Sequence, residues 1–215
     1  MPTYIDLTVP WGPEIQPLDG HPRVSFEPIT THEVENRSNT RVTFSIHTGT
    51  HIDSPYHFYP EAPGIDQMPL DMFIGPARVV DLTSTARPGQ PISVDDLKGA
   101  VADPRSLAKK RVLLRTDWAT HHWNQPDLYA HNPYLSEDAA RWLQSQGIRA
   151  LGLDFAVDKA FPYPNHYIFL GNSILLMENL IHLGDIPSQE FTLIALPLKV
   201  VHGDGGPARV VAMVE

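Results

Sequence analysis

No cysteine occurs in the 215 residues, which excludes disulfides and every metal site built on thiolate sulfur. Long apolar runs are missing too, and none approaches the ~20 residues of a membrane span. The first residues, Met-Pro-Thr-Tyr-Ile-Asp, lack the basic start and apolar centre of a signal peptide, so the expectation is a cytoplasmic protein. Basic charge is scarce: 16 Lys and Arg stand against 25 Asp and Glu, a net charge of −9. Such a chain is a poor match for a nucleic-acid backbone, and a small-molecule substrate is the expected partner. The only basic run, Lys109, Lys110 and Arg111, reads as a solvated turn before a strand.

What is present points elsewhere. There are 11 histidines, and with no thiolates any metal must rest on His, Asp and Glu, donors that suit zinc, manganese or iron. The 21 prolines are spread along the chain and read as rigid loops rather than a disordered linker. Length and the 42% hydrophobic fraction fit one domain, residues 1–215, with a sizeable core. No repeat and no shift in composition marks a second unit.

Strand-like runs fall at residues 4–9, 33–37, 41–52, 76–83, 111–116, 149–155, 173–178, 191–198 and 207–214. Residues 10–32 read as a long ordered loop. Ser93 is placed to cap a short helix. The clearest helix is 136–147, with Ser136 as N-cap, Glu137 and Asp138 in the first turn and Gly147 as its stop. A further short helix is expected near 166–171. The sum is a sheet-dominated, mixed α/β fold in a single domain.

The chemistry concentrates in residues 41–53. Val42, Phe44, Ile46 and Ile52 share one parity, and His47, Gly49, His51 and Asp53 share the other. On a strand this puts two imidazoles and a carboxylate on one face, with Gly49 leaving a hollow between them. Three such ligands around a hollow make a catalytic metal site with one position open. A helix is disfavoured by Thr48, Gly49 and Thr50 and by Pro55 just beyond. His57 lies four residues past Asp53. Downstream, Glu178 closes the apolar run from Ile174; a carboxylate there needs a partner, by ligation, salt bridge or cap. His166 is open to either a ligand's role or that of a helix-start histidine. Asp154 reads as a cap or turn residue, His121 and His122 as a loop rim, and residues 202–206 as a hairpin turn.

The run His47-Thr-Gly-Thr-His51-Ile-Asp53-Ser-Pro-Tyr-His57-Phe58 resembles the cyclase family of metal-dependent hydrolases, which includes bacterial kynurenine formamidases and isatin hydrolases. Weaker matches continue in order through residues 115–118, 132–136, 152–154, His166, 170–171, 177–180, 194–198 and 205–209. The resemblance implies a swivelling β/β/α arrangement in a homodimer or homotetramer. It implies one metal on His47, His51 and Asp53, and a second shared by Asp53, His166 and Glu178. Zn2+ or Mn2+ would serve, one or two per chain, with His57 as general acid/base. Trp11 and Phe26 would line the substrate pocket, across a dimer in some members. The chain departs from the formamidases where Asn179 rather than Gly follows Glu178, and where no early Pro-Gly-Asp loop is recognisable. It departs from the isatin hydrolases in having no glutamine among the later ligands.

The expected activity is hydrolysis of a formamide or cyclic amide by water acidified on the metal. Two rivals stand beside it: a lyase or ring-closing enzyme on the same scaffold, and a non-catalytic metal-binding module.

Overall fold

The computed structural model describes all residues, Met1–Glu215. Twelve strands form: β1 (Thr3–Asp6), β2 (Ser25–Thr30), β3 (Asn39–Thr43), β4 (His51–Asp53), β5 (Ile74–Asp81) and β6 (Pro91–Ile92). They continue with β7 (Arg111–Arg115), β8 (Tyr134–Leu135), β9 (Ala150–Leu153), β10 (Leu175–Glu178), β11 (Glu190–Pro197) and β12 (Gly205–Val214). The helices are α1 (His32–Glu35), α2 (Val94–Ala100), α3 (Trp118–His122), α4 (Glu137–Ser145) and α5 (Pro164–Leu170). No helix is long and apolar enough to cross a membrane.

The main sheet runs β1-β12-β11-β5-β7-β9-β10-β4, and β4 pairs back onto β12. Seven strands therefore close a ring, with β1 extending along β12 beyond β4. Strands β5, β7, β9 and β10 are parallel, and β11, β12, β4 and β1 pair antiparallel. The parallel crossovers carry α2, α4 and α5, as such connections require.

The alternation of strand side chains splits the core in two. Val112, Leu114, Leu151, Leu153 and Leu176 pack with Leu97, Leu143 and Phe169 from the helices. Leu113, Ala150, Leu175, Met177, Leu193 and Val210 point the other way and pack inside the ring with Ile52. Both faces of β7, β9 and β10 are buried, so their centres are apolar.

Local chemistry explains the helix starts. Ser93 Oγ accepts from Asp96 N while the Asp96 carboxylate accepts from Ser93 N, a capping box. Ser136 Oγ accepts from Ala139 N, and α4 buries Ala139, Ala140 and Leu143. Gly147, at φ +68, stops it in the left-handed region.

Three expectations fail. Residues 33–37 are not a strand, because His32–Glu35 makes one helical turn ended by Asn36 at φ 56. The loop expected over 10–32 contains β2. The continuous strand expected over 41–52 is two short ones, β3 and β4, separated by a turn. Over β3 its apolar parity does not reach the core: every residue of β3 is exposed, because β2 and β3 form a separate two-stranded ribbon, and of that parity only Ile52, on β4, is fully buried.

Candidate metal centre

Strand β4 lies between β10 and β12. His51 stands across from Glu178 and Pro207, and Asp53 across from Leu176 and Gly205. Residues i and i+2 share a face, so His51 and Asp53 turn outward while Ile52 enters the ring. Cross-strand partners share a face as well, which brings Glu178 Oε2 to 3.9 Å from His51 Nε2. The site thus opens on the helix-bearing side of the sheet.

His47 reaches the same point by a different route. The chain turns through residues 44–50, and Gly49 at φ +65 takes a conformation few other residues tolerate. The turn returns the His47 ring to Asp53, Nδ1 to Oδ1 at 2.8 Å, with Nε2 at 3.0 Å from Asp204 Oδ2. The hollow expected at Gly49 is not there: a Cβ at that position would strike Ile15 Cδ1 at 2.6 Å. Gly205 leaves the space instead, since a Cβ there would lie 3.2 Å from His47 Cε1.

His166 comes from the first turn of α5. The Asp158 carboxylate accepts from the backbone N–H of Asn165 and of His166, and from His166 Nδ1 at 2.7 Å. One side chain therefore caps the helix and orients the ring. His166 Nε2 then faces Asp53 Oδ2 at 3.6 Å, too far for a hydrogen bond.

These contacts test whether a divalent cation fits. The Gly49 carbonyl can only accept, so the 2.8 Å contact fixes the proton on His51 Nδ1. In the neutral ring that a metal ligand must be, the Nε2 lone pair then faces Asp53 Oδ1 at 3.3 Å and Glu178 Oε2, acceptor against acceptor. Asp53 Oδ2 is buried with no hydrogen-bond partner. A cation among these atoms resolves every one of these conflicts, and the donor set is one that zinc and manganese accept. Donor atoms within 4.8 Å of one another occur in His47, His51 and Asp53, in Asp53, His57 and His166, and in His47, His57 and Asp204. Glu178 joins through its 3.9 Å approach to His51 and holds its other oxygen 2.8 Å from Val157 N.

The electrostatics follow from burial. Burial opposes charge on His47, but Asp53 and Asp204 raise it to about 10. Burial likewise opposes charge on His166, which Asp158 and Asp53 raise to about 10. Asp53 resists its own burial because His51, His47 and His166 hold it well below the usual carboxylate range. Glu178 is pushed up by burial. His57 behaves oppositely to the other two: burial, with His47 and His166 beside it, lowers it to about 4 despite Asp53.

A cavity of about 370 Å³ opens over these groups, walled in part by His21, Phe58, Tyr129, Lys159 and Tyr163. Trp11 does not line it. That ring packs edge-on against Phe44, at 4.7 Å between centroids, and borders a separate hollow beside Arg209. Phe26 sits on the exposed ribbon, away from the cavity within one chain. His121 and His122 border another hollow, beside Trp118. Asp158 and Asp204 were missed as partners of the site. Asp204 lies in the glycine-rich 202–206 turn, which does connect β11 to β12 as a hairpin; only the β12–β4 pairing carries it to His47. Asp158, eight residues before His166, had one legible signal, an acid ahead of a proline-started helix.

Residues 5–159 match a family of known sequences described as "Putative cyclase". The chain belongs to the cyclase family. The matched segment holds His47, His51, Asp53 and His57, while His166 and Glu178 lie beyond it. The chain is 31% identical over 215 residues to a kynurenine formamidase of Bacillus cytotoxicus, covering 97% of this chain and 96% of the relative. Among solved structures, isatin hydrolase A from Labrenzia aggregata superposes with a TM-score of 0.85 at 27% identity, over 99% of this chain and 94% of that one. A potential metal-dependent hydrolase with cyclase activity superposes at 0.80 with 26% identity, over 100% and 99%. The mixed α/β architecture expected from the sequence is thus the architecture of this family.

Proposed function

We propose that this chain is a metal-dependent hydrolase of non-peptide carbon–nitrogen bonds, acting on a formamide or a cyclic amide. The observation that carries the reading is the buried Asp53 carboxylate, faced by the imidazoles of His47, His51 and His166 at the floor of an open cavity. His47, His51 and Asp53 would hold one divalent cation, and Asp53, His166 and Glu178 a second; Zn2+ and Mn2+ both suit the donors. Bound there, the cation supplies Lewis acidity toward a carbonyl and lowers the pKa of water from about 15.7 toward about 7.

The chain's own groups handle the protons. Hydrolysis places a hydroxyl on the carbonyl carbon and one proton on the departing nitrogen. His57, held near 4, is neutral at pH 7, so it accepts a proton from water and returns it to that nitrogen. Asp204 holds the His47 ring at Nε2, so Nδ1, on the side of Asp53, is the nitrogen that would face the cation. Asp158 fixes the tautomer of His166 so that Nε2 faces inward. The kynurenine formamidase and isatin hydrolase likenesses support this reading, since the first cleaves a formamide and isatin is a cyclic amide.

The same reading makes the chain a cytoplasmic homodimer or homotetramer. An isolated two-stranded ribbon is marginal in water, and β2–β3 presents Phe26, Ile29 and Val42 uncovered. A second copy over the ribbon would cover them and bring Phe26 toward the partner's cavity, with Trp11 at its edge. Light scattering on the purified protein checks the assembly. The deciding experiment for function combines metal analysis with a screen of N-formyl and cyclic amides. Bound metal with no hydrolysis of any of them would turn the reading toward a lyase.

A further inference from the structure

The carbonyl that places the proton of His51 belongs to the residue with the freest backbone in its turn. Gly49 sits at φ +65, and with no Cβ its peptide planes swing more easily than those of any other residue. Its oxygen nevertheless meets His51 Nδ1 at 2.8 Å. A swing of the 49–50 peptide would take that acceptor away, and the His51 proton would then be free to move to Nε2, the nitrogen that faces Asp53.

Asn179 grips this peptide at two points. Its Nδ2 donates to the Gly49 oxygen at 3.1 Å, from 130 positions along the chain. Its backbone oxygen accepts from Thr50 Oγ1 at 2.7 Å, and Thr50 Oγ1 accepts from Val9 N at 2.9 Å. Thr50 and Asn179 are both buried, so water does not stand in for these bonds. A carbonyl oxygen has two lone pairs; His51 takes one and Asn179 the other. That oxygen only accepts, so the nitrogen of the Asn179 amide is the atom turned toward it, and Asn179 Oδ1 is left buried without a partner.

The backbone alone gives no reason for an amide at this position. Asn179 lies at φ 57, in the left-handed region that glycine enters most easily. What asparagine adds over glycine there is the side chain, and its nitrogen is on Gly49.

We infer that Asn179 is a positioning residue of the metal centre: it pins the 49–50 peptide, so that the Gly49 carbonyl keeps the proton on His51 Nδ1 and leaves Nε2 to the cation. It touches neither ion nor substrate. The inference rests on the metal-binding part of the reading above and adds a residue that acts through Gly49 and His51.

Two variants separate this role from a purely structural one. Asn179→Gly removes the amide and suits the backbone; Asn179→Ala removes the amide and strains it. Competitive chelation should show Zn2+ binding weakened by about 10- to 100-fold in both, the usual effect of losing an outer partner of a metal-bound histidine. The urea midpoint of the metal-free chain should fall further in Asn179→Ala than in Asn179→Gly. The imidazole 15N shifts of His51, recorded on the metal-free chain at a pH where the ring is neutral, should report one tautomer, Nδ1–H, in the wild type and a mixture in both variants. Wild-type Zn2+ affinity in Asn179→Gly, an affinity that falls only in step with the urea midpoint, or a His51 tautomer that is the same in all three chains would overturn the assignment. If the wild-type chain binds no Zn2+, the metal reading fails on its own, and the His51 tautomer still decides whether Asn179 sets it.

Discussion

The ring of His57 lies over the ring of His47, 4.0 Å between centroids and 26° from parallel. The two imidazoles share one neighbourhood but not one protonation state. His47 is gripped by Asp53 and Asp204 and rises to about 10, whereas His57 gains no hydrogen-bonded carboxylate and falls to about 4. A cation or proton at His47 therefore keeps His57 neutral, the state a proton acceptor needs.

His57→Ala should keep its metal and lose turnover by about 10²–10⁴-fold, the usual contribution of general acid/base catalysis. Elemental analysis alongside steady-state kinetics checks both halves. Undiminished activity would remove His57 from the proton pathway, and a loss of metal would make it a ligand.

Asp53→Ala should lose metal, because it removes the only carboxylate that touches His47, His51 and His166 together. Stripping the wild-type chain with a chelator should lower Tm by about 5–10 °C. A ligand at a hundredfold excess over Kd stabilises by ~2.7 kcal/mol, and ~1 kcal/mol moves Tm by about 2–4 °C in a domain of this size. A Tm indifferent to chelator would count against a metal in the folded core.

Gly49→Ala should destabilise the chain by about 1–3 kcal/mol, since a side chain at positive φ is strained and this one meets Ile15 and Trp11. The same change should weaken metal binding about tenfold or more, because the Gly49 carbonyl sets the tautomer of His51. Urea unfolding and competitive chelation read the two effects separately. Wild-type stability in the variant would show that the turn accepts a Cβ.

Asp154 links pH to stability away from the metal centre. Its carboxylate accepts from Thr116 N, Thr116 Oγ1 and Asp117 N, yet burial pushes it up to about 7. Between its ordinary value of 3.8 and about 7 the folded chain holds a proton that the unfolded chain has released. That contribution to stability is complete below the ordinary value and is lost as pH rises through about 7. The urea midpoint of the wild-type chain should therefore fall from pH 5 to pH 8 more steeply than that of Asp154→Asn. Identical slopes would place the pH dependence elsewhere.

The donors of the first segment were legible because they are local. His51 and Asp53 lie two apart on β4 and share its outer face, as alternation requires. The helices were legible for the same reason: Ser93, Ser136 and Gly147 act within a few residues of themselves. The single strand over 41–52 fails because its alternation is real but the apolar side of its β3 part faces no core, while Ile52 on β4 does. Whether Val42 finds something to pack against depends on where the ribbon lies, which no local pattern records.

By itself, then, the sequence determined the donor types, the absence of thiolates, and the mixed α/β pattern, all consequences of composition and short-range periodicity. Only the tertiary structure decided which residues meet. The β4–β10 register puts Glu178 beside His51, the β12–β4 closure brings Asp204 to His47, and the cap on α5 turns Asp158 toward His166. Those meetings join residues from 8 to 157 positions apart, and they follow from strand pairing and loop closure rather than from any property of the residues involved.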